Sequence, residues 1–170
     1  PGVHHAARQA PAAGGGRRST LTFFAFLPPV SNRNFTSVNA KIAAATLSGM
    51  TTEQFQAQVR PWLATAKDPH WKRSYTELTY LPMQEVLKYL RANGYKTYIV
   101  TGGGQDFVRM YSDATYGIPI EQVVGTAGAT KYGYDKDGKP TLTKEPKLTL
   151  NDNNAGKPEG IHLMIGRRPY

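Results

Sequence analysis

The sequence predicts an α/β fold, in which helices cover a parallel β-sheet, and three observations support this class. Helical, strand and helical patterns follow one another through residues 82–116 with short connections, which favours a parallel layer. The strand of this unit, residues 95–100, is apolar and rich in β-branched and aromatic residues. Two further strand-like runs, residues 122–134 and 139–148, are joined at Asp137-Gly138, which indicates a β-hairpin.

The first 35 residues form an atypical leader. Residues 1–20 contain mainly small residues, proline, glycine and arginine, and this composition predicts disorder. Residues 21–34 are compatible with a strand or with a collapsed apolar segment. Charge followed by a short hydrophobic run at 17–27 weakly resembles an export signal, and a leader of accidental sequence is the alternative. Localisation is therefore left open.

Residues 36–80 are predicted to be helical. The alanine-rich segment 38–47 favours a helix that Gly49 closes. A second helix is expected after Thr51, because Thr51-x-x-Gln54 has the form of a capping box. Apolar residues then recur at helical spacing, at Phe55, Val59, Trp62 and Leu63.

The most informative segment follows the strand at 95–100. Thr101 ends this run and is followed by three glycines, Gly102 to Gly104, and by a helical pattern that begins near Gln105. A hydroxyl residue at this position would lie at the carboxyl edge of a parallel sheet, where open α/β folds bind ligands. Glycines permit close backbone approach, and a helix start offers unpaired N–H groups to an anion such as phosphate.

The last third of the chain contains two acidic loops. Asp135-Lys136-Asp137-Gly138 is interpreted as a hairpin turn, because turn-like and polar residues surround it. Residues 151–156 are interpreted as an ordinary loop, and Asp152 within them is not assigned to a metal site. Lys157 then begins a short helix that runs toward Gly166.

The bulk composition restricts the function classes. The chain has 170 residues, which fits one domain or a domain with a small cap. It contains no cysteine, which excludes disulfides and thiolate catalysis. No apolar run approaches the length of a transmembrane helix. The net charge is 21 − 12 = +9, and residues 1–50 contribute five basic and no acidic side chains to it. Because no recognition motif accompanies this charge, specific nucleic-acid binding is not expected.

Several segments resemble the haloacid dehalogenase-like (HAD) phosphatases, in particular the bacterial branch related to phosphoserine phosphatase. The similarity runs from about residue 40 to the last residue and is most specific at 81–169. It rests on strand-Thr-Gly-Gly at 98–103 and on Gly156-Lys157-Pro158-Glu159-Gly160-Ile161, together with the segments 49–55, 89–97 and 165–169. The resemblance implies a partial Rossmann-like core at 81–170 and a remnant of a helical cap at 36–80.

The same resemblance implies a phosphomonoesterase that forms a phospho-aspartate with the help of Mg²⁺. Thr101 would hold the phosphoryl oxygens with the N–H groups of Gly102 and Gly103, and Lys157 would neutralise the charge. The family's Asp-x-Asp nucleophile motif and its acidic Mg²⁺-binding motif are not found. No Asp or Glu precedes Glu53, and the chain is expected to be truncated at both ends. Its Mg²⁺ ligands are thus not expected within these 170 residues.

Three functional hypotheses follow. The first is a truncated HAD-like phosphatase for a small phosphorylated substrate, inactive on its own. The second is a non-catalytic module that binds phosphate without a nucleophile. The third is a basic nucleic-acid-associated protein. Substrate identity and oligomeric state are left open. The family's nucleophile strand lies beside the strand that ends at Thr101, so this edge is expected to be unpaired unless residues 21–27 replace it.

Overall fold

The computed structural model describes the backbone of residues 20–23 and the chain from residue 48 to residue 169. The disorder predicted for residues 1–20 lies outside the described residues except at Thr20, which belongs to a strand, and the helix predicted at 38–47 also lies outside them. The predicted α/β class is confirmed: a four-stranded mixed sheet with strand order β1-β2-β3-β4 is combined with helices in a partial Rossmann-like arrangement.

The elements follow one another in the order that the sequence predicts. They are β1 (Thr20–Phe23), α1 (Thr52–Thr65), α2 (Leu81–Ala92), β2 (Lys96–Gly104), α3 (Gln105–Arg109), α4 (Ser112–Tyr116), β3 (Val123–Tyr134), β4 (Pro140–Leu150) and α5 (Gly156–Ile165), with 3₁₀ turns at Tyr75–Glu77 and Ile120–Gln122. The strands β1, β2 and β3 are parallel, and β4 runs antiparallel to β3.

Strand β1 occupies the edge of β2 that the sequence left uncertain. Thr20 is paired with Lys96 and Phe23 with Ile99, in parallel register. Part of the 21–34 segment therefore forms a strand, and the backbone of β2 has a neighbour over residues 96–99. The expected unpaired edge is absent over these four residues.

The core lies on both faces of the sheet, because successive residues of a strand point to opposite sides. Ile99 and Val123 face one side, where they pack with Leu87, Val108 and Ile118. The next residues along the two strands, Val100 and Val124, face the other side and pack with Ile161 of α5. Strand β2 thus has buried side chains on both faces, as parallel strands do when both faces are covered.

Two predicted elements differ in detail from the structure. The helix predicted from Gln105 to Tyr116 is two short helices, α3 and α4. The break occurs where the N–H groups of Met110 and Tyr111 bond three residues back instead of four, to Phe107 and Val108. The second difference is that β2 continues through the glycines to Gly104, with an irregularity in its pairing with β3 between Thr101 and Gly104.

Candidate phosphate-binding site

Thr101 lies at the end of the regular part of β2, where the sequence predicted the site. Its side chain is buried, and its Oγ1 accepts a hydrogen bond of 3.1 Å from the backbone N–H of Gly103. Gly102, between these two residues, is exposed. The hydroxyl group of Thr101 is therefore fixed beside an accessible stretch of backbone, and its own proton can be donated to a ligand.

The glycine segment is shaped by close packing rather than by left-handed backbone. None of its three glycines has a positive φ. The tight contact is with Gly125 of β3, where an added Cβ would lie 3.0 Å from the Gly103 carbonyl oxygen. The buried side chain of Gln105 reinforces this contact, because its Oε1 accepts a 3.1 Å hydrogen bond from the Gly125 N–H. Sequence reasoning did not identify Gly125 or the role of Gln105.

Lys157 reaches the same end of β2 from α5. Its Nζ donates a hydrogen bond of 3.2 Å to the carbonyl oxygen of Val100, the residue before Thr101. The side chain is 24% exposed, so the ammonium group is partly accessible. Thr101 and the ammonium group of Lys157 therefore lie at the same end of β2, although the two residues are 56 positions apart in the sequence.

Asp152 is the residue that sequence reasoning set aside and that the structure places at this site. Its side chain is fully buried, and neither carboxylate oxygen accepts a hydrogen bond of normal geometry from the part of the chain that is described. One oxygen, Oδ2, lies 3.9 Å from Lys157 Nζ. Its backbone N–H donates to Thr126 Oγ1 at 3.2 Å, and Thr126 in turn donates to the Gly102 carbonyl at 2.9 Å. The loop that carries Asp152 is thereby tied to the glycine segment.

Burial governs the ionisation of both charged residues. Burial raises the pKa of Asp152, while the Lys157 charge and the Thr101 backbone N–H act in the opposite direction. Burial likewise lowers the pKa of Lys157, and the Asp152 carboxylate partly offsets this effect. Each group is thus stabilised in its charged form by the other and destabilised by its surroundings.

Two glycines make room for this arrangement. An added Cβ on Gly160 would lie 2.7 Å from Asp152 Oδ1, so α5 can pack against the carboxylate only with glycine at this position. An added Cβ on Gly156 would lie 1.8 Å from the Asn151 carbonyl oxygen. A glycine inside a short helix is unfavourable. The glycine at position 160 therefore has a packing reason, which is the close approach of the Asp152 side chain.

Two other acidic residues, Asp135 and Asp68, have local structural roles. Asp135 forms the hairpin turn predicted for it: its Oδ1 accepts hydrogen bonds from the N–H groups of Asp137 and Lys139 at 2.9 and 2.8 Å. Asp68 accepts bonds from the N–H groups of His70 and Trp71 in the same manner. Asp135 follows the hairpin end of β3, where the neighbouring strand is the antiparallel β4, and Asp68 follows α1.

Asp106 forms an ion pair with Lys144 of β4. The Lys144 ammonium also lies 4.7 Å from the centre of the Phe55 ring of α1. The backbone of Lys144 exchanges hydrogen bonds with Gly49 and Met50. This cluster connects α1, in the predicted cap remnant, with the start of α3 just beyond the glycine segment.

Metal binding finds little support at the site. Over residues 20–23 and 48–169 no three His, Cys, Asp or Glu side chains are grouped as a metal ion would require. The one buried carboxylate at the site, Asp152, faces an ammonium group instead. These residues do not fit a Mg²⁺ ion. No helix within the same ranges is long and apolar enough to cross a membrane.

Comparisons with known proteins give limited information. No family model and no curated protein matches the chain. Among solved structures, a conserved functionally unknown protein from Anaerococcus prevotii DSM 20548 is 22% identical, with a TM-score of 0.49 over 73% of this chain and 37% of that one. A phosphoserine phosphohydrolase-like protein from Francisella tularensis is 17% identical, with a TM-score of 0.36 over 78% of this chain and 58% of that one. The chain spans less than two thirds of either structure, and such distant likeness carries no argument about activity.

Proposed function

We propose that the end of β2 binds a phosphoryl group between the Thr101 hydroxyl and the Lys157 ammonium. The observation that supports this most directly is the hydrogen bond of Lys157 Nζ to the carbonyl of Val100, one residue before Thr101. A lysine ammonium is a compact charge suited to phosphate, and a hydroxyl at a strand end supplies a directed donor. The chain would belong to the HAD-like phosphatases, and its ligand would be a small phosphorylated compound.

The two residues have different tasks in this proposal. Thr101 Oγ1 already accepts a hydrogen bond from the Gly103 N–H, and its hydroxyl proton would be donated to the ligand. Lys157 offsets the negative charge of the phosphoryl oxygens. The exposed backbone of Gly102 permits close approach of the ligand. The Gly103 N–H would bind phosphate only by exchanging its bond to Thr101, which makes it a weaker candidate than the sequence suggested.

Binding without turnover is the expected behaviour of this chain. The family resemblance implies an aspartate nucleophile on the strand beside β2 and a Mg²⁺ ion that polarises the phosphoryl group. Here the neighbour of β2 is β1, with the sequence Thr-Leu-Thr-Phe, and no carboxylate precedes Glu53. The described residues do not fit Mg²⁺, so no catalytic step is assigned to them. These facts favour phosphate binding over phosphomonoester hydrolysis for these 170 residues.

Titration with inorganic phosphate, followed by calorimetry and by amide NMR shifts, tests the proposal. Lys157→Met is expected to weaken phosphate binding about 10–100-fold, because it removes a charge-assisted hydrogen bond worth about 1.5–3 kcal/mol. Thr101→Val is expected to weaken binding as well, and Thr101→Ser is expected to restore it. The matched control is Lys147→Met, whose ammonium is exposed on β4 and paired with Glu145.

Equal loss of affinity in the Lys157 and Lys147 variants would show that only net charge matters and would contradict the proposal. Hydrolysis of p-nitrophenyl phosphate by the wild-type chain would contradict the expectation of binding without turnover.

The nucleic-acid alternative stays a prediction. Most of the excess positive charge on which it rests lies in residues 1–50. A steep fall of nucleic-acid affinity with salt that depends on residues 1–35 would support it.

A further inference from the structure

Asp152 poses a physical problem that the phosphate site by itself does not solve. A fully buried carboxylate whose oxygens accept no hydrogen bond of normal geometry from the described residues is unfavourable, because ionised groups lose strong hydration on burial. Surface loops of this composition normally direct an aspartate to solvent or to a neighbouring backbone N–H, as Asp135 and Asp68 do. The charged group that Asp152 faces is instead the ammonium of Lys157, at 3.9 Å.

The surrounding chain holds the carboxylate in this place. The backbone of Asp152 is bound to Thr126, and Thr126 is bound to Gly102 at the edge of the phosphate site. On the other side, Gly160 leaves a space that Oδ1 of Asp152 occupies. The side chain of Asp152 therefore lies where three elements, β2, β3 and α5, come together. Its position depends on their packing and not on a local turn.

We infer that Asp152 is a positioning residue that holds the Lys157 ammonium, in its charged form, at the end of β2. The inference rests on the proposed phosphate site, because a fixed ammonium there has a purpose only if an anion arrives. Lys157 donates to the Val100 carbonyl from a partly buried position, where an amine tends to lose its proton. The Asp152 carboxylate counteracts that tendency. At 3.9 Å Oδ2 lies beyond hydrogen-bond distance of Nζ, so the two groups attract by charge without a direct hydrogen bond.

The test combines two single variants and their double variant. Asp152→Asn preserves the shape of the side chain and removes its charge. It is expected to lower the pKa of Lys157, followed by NMR of its ε-methylene group, and to weaken inorganic phosphate binding about tenfold. In a Lys157→Met background the same change is expected to have little further effect on phosphate affinity, because Asp152 acts through Lys157. Asp137→Asn, in the exposed hairpin turn, is the charge-matched control.

Three outcomes would overturn the inference. Tighter phosphate binding by Asp152→Asn would mean that the carboxylate chiefly repels the anion. An equal loss in the presence and absence of the Lys157 side chain would indicate a purely structural role. An unchanged Lys157 pKa would show that the two charges are not coupled.

Two further readouts keep the inference separate from the proposed function and from folding. If the wild-type chain does not bind phosphate, the proposed function fails, while the Lys157 pKa still reports whether Asp152 holds the ammonium. If Asp152→Asn does not fold, the reciprocal measurement applies. The pKa of Asp152 is then followed in Lys157→Met, where loss of the ammonium is expected to raise it further. An unchanged Asp152 pKa there would overturn the inference.

Discussion

Two acidic loops of this chain look similar in composition and differ in almost every physical respect. The hairpin loop 135–138 has the spacing Asp-x-Asp-Gly, the letters of the nucleophile motif of HAD-like phosphatases, and its residues are exposed. Asp135 there accepts two backbone hydrogen bonds. The loop 151–156 has no motif, yet its aspartate is fully buried and faces an ammonium group. Only the second loop lies at the end of the parallel sheet.

The difference shows that the position of an aspartate in the fold says more about its role than the sequence motif around it does. A satisfied carboxylate in water contributes to a local turn and has no reason to react or to bind. A buried carboxylate with one charged neighbour is sensitive to every change around it, and such groups occur disproportionately at functional sites. The two loops therefore make a matched pair: substitutions should have large, coupled effects in the loop 151–156 and small, local effects in the loop 135–138.

The largest difference is expected from glycine substitution. In Gly156→Ala the new methyl group would overlap the Asn151 carbonyl oxygen, which lies 1.8 Å from the ideal Cβ position. The backbone of the loop must then shift, and we expect a loss of about 3 kcal/mol in the free energy of unfolding. Urea unfolding measures this change. Phosphate affinity should fall as well, because Asp152 and Lys157 flank the displaced segment.

The matched control is Gly133→Ala on β3 of the hairpin. No atom lies within 4 Å of an added Cβ there, and the backbone is not left-handed. Its unfolding free energy should change by less than about 0.5 kcal/mol. If Gly156→Ala lowers the unfolding free energy no more than Gly133→Ala does, the loop 151–156 is not tightly packed. The contrast between the two loops would then fail.

Much of the fold could be predicted because its signals are local. The capping box at Thr51 forms as predicted, with bonds of 3.2 and 2.9 Å between Thr51 and Gln54. The hairpin turn has Gly138 at φ +76°, where glycine is favoured. The break between α3 and α4 was missed because no proline or glycine marks it. Tyr111, in the link between the two helices, and Tyr116, at the end of α4, pack against the core around Val108, which is a tertiary effect.

Only the part of the candidate site at the end of β2 could be predicted, because a strand-like run followed by glycines marks it in the sequence. Thr101 lies in β2 and Lys157 at the start of α5, and their assignment to a phosphate site stays a proposal. Asp152 could not be recognised, since its burial depends on two residues outside its loop. Thr126 is distant in the sequence, and nothing in the sequence marks Gly160 as a neighbour of Asp152. The ion pair of Asp106 is another contact that the sequence does not show. A favourable position near a helix start is visible in sequence, and an ion pair with Lys144, 38 residues away, is not.

The second prediction concerns the pH dependence of stability. The pKa of Asp152 is raised in the folded chain, mainly by burial, so the folded state binds its proton more tightly than the unfolded state does. Its stabilising contribution is therefore fully present below the ordinary aspartate pKa of 3.8 and is lost as pH rises through the folded value. Asparagine does not titrate. The stability of wild type relative to Asp152→Asn should fall as pH rises from about 3 to about 7.

Urea unfolding of the two proteins across that range provides the measurement. The difference between them is the useful quantity, because the other titrating groups are present in both proteins and cancel, apart from Lys157, whose pKa depends on Asp152. A wild-type advantage that instead grows with pH would show that the attraction of Lys157 exceeds the effect of burial. The Asp152 carboxylate would then be a stabilising ion pair and not a strained one.

The smallest effect is expected in the hairpin loop, where Asp135→Ala removes the acceptor of two backbone hydrogen bonds. Both bonds are exposed to solvent, so water replaces them in part, and we expect a loss of about 1 kcal/mol in unfolding free energy. Asp135→Asn keeps an acceptor oxygen and should lose less than about 0.5 kcal/mol. Phosphate affinity should be unchanged in both variants. A phosphate-binding defect in Asp135→Ala, with the turn intact in Asp135→Asn, would mean that the Asp-x-Asp-Gly letters of this loop have a function after all.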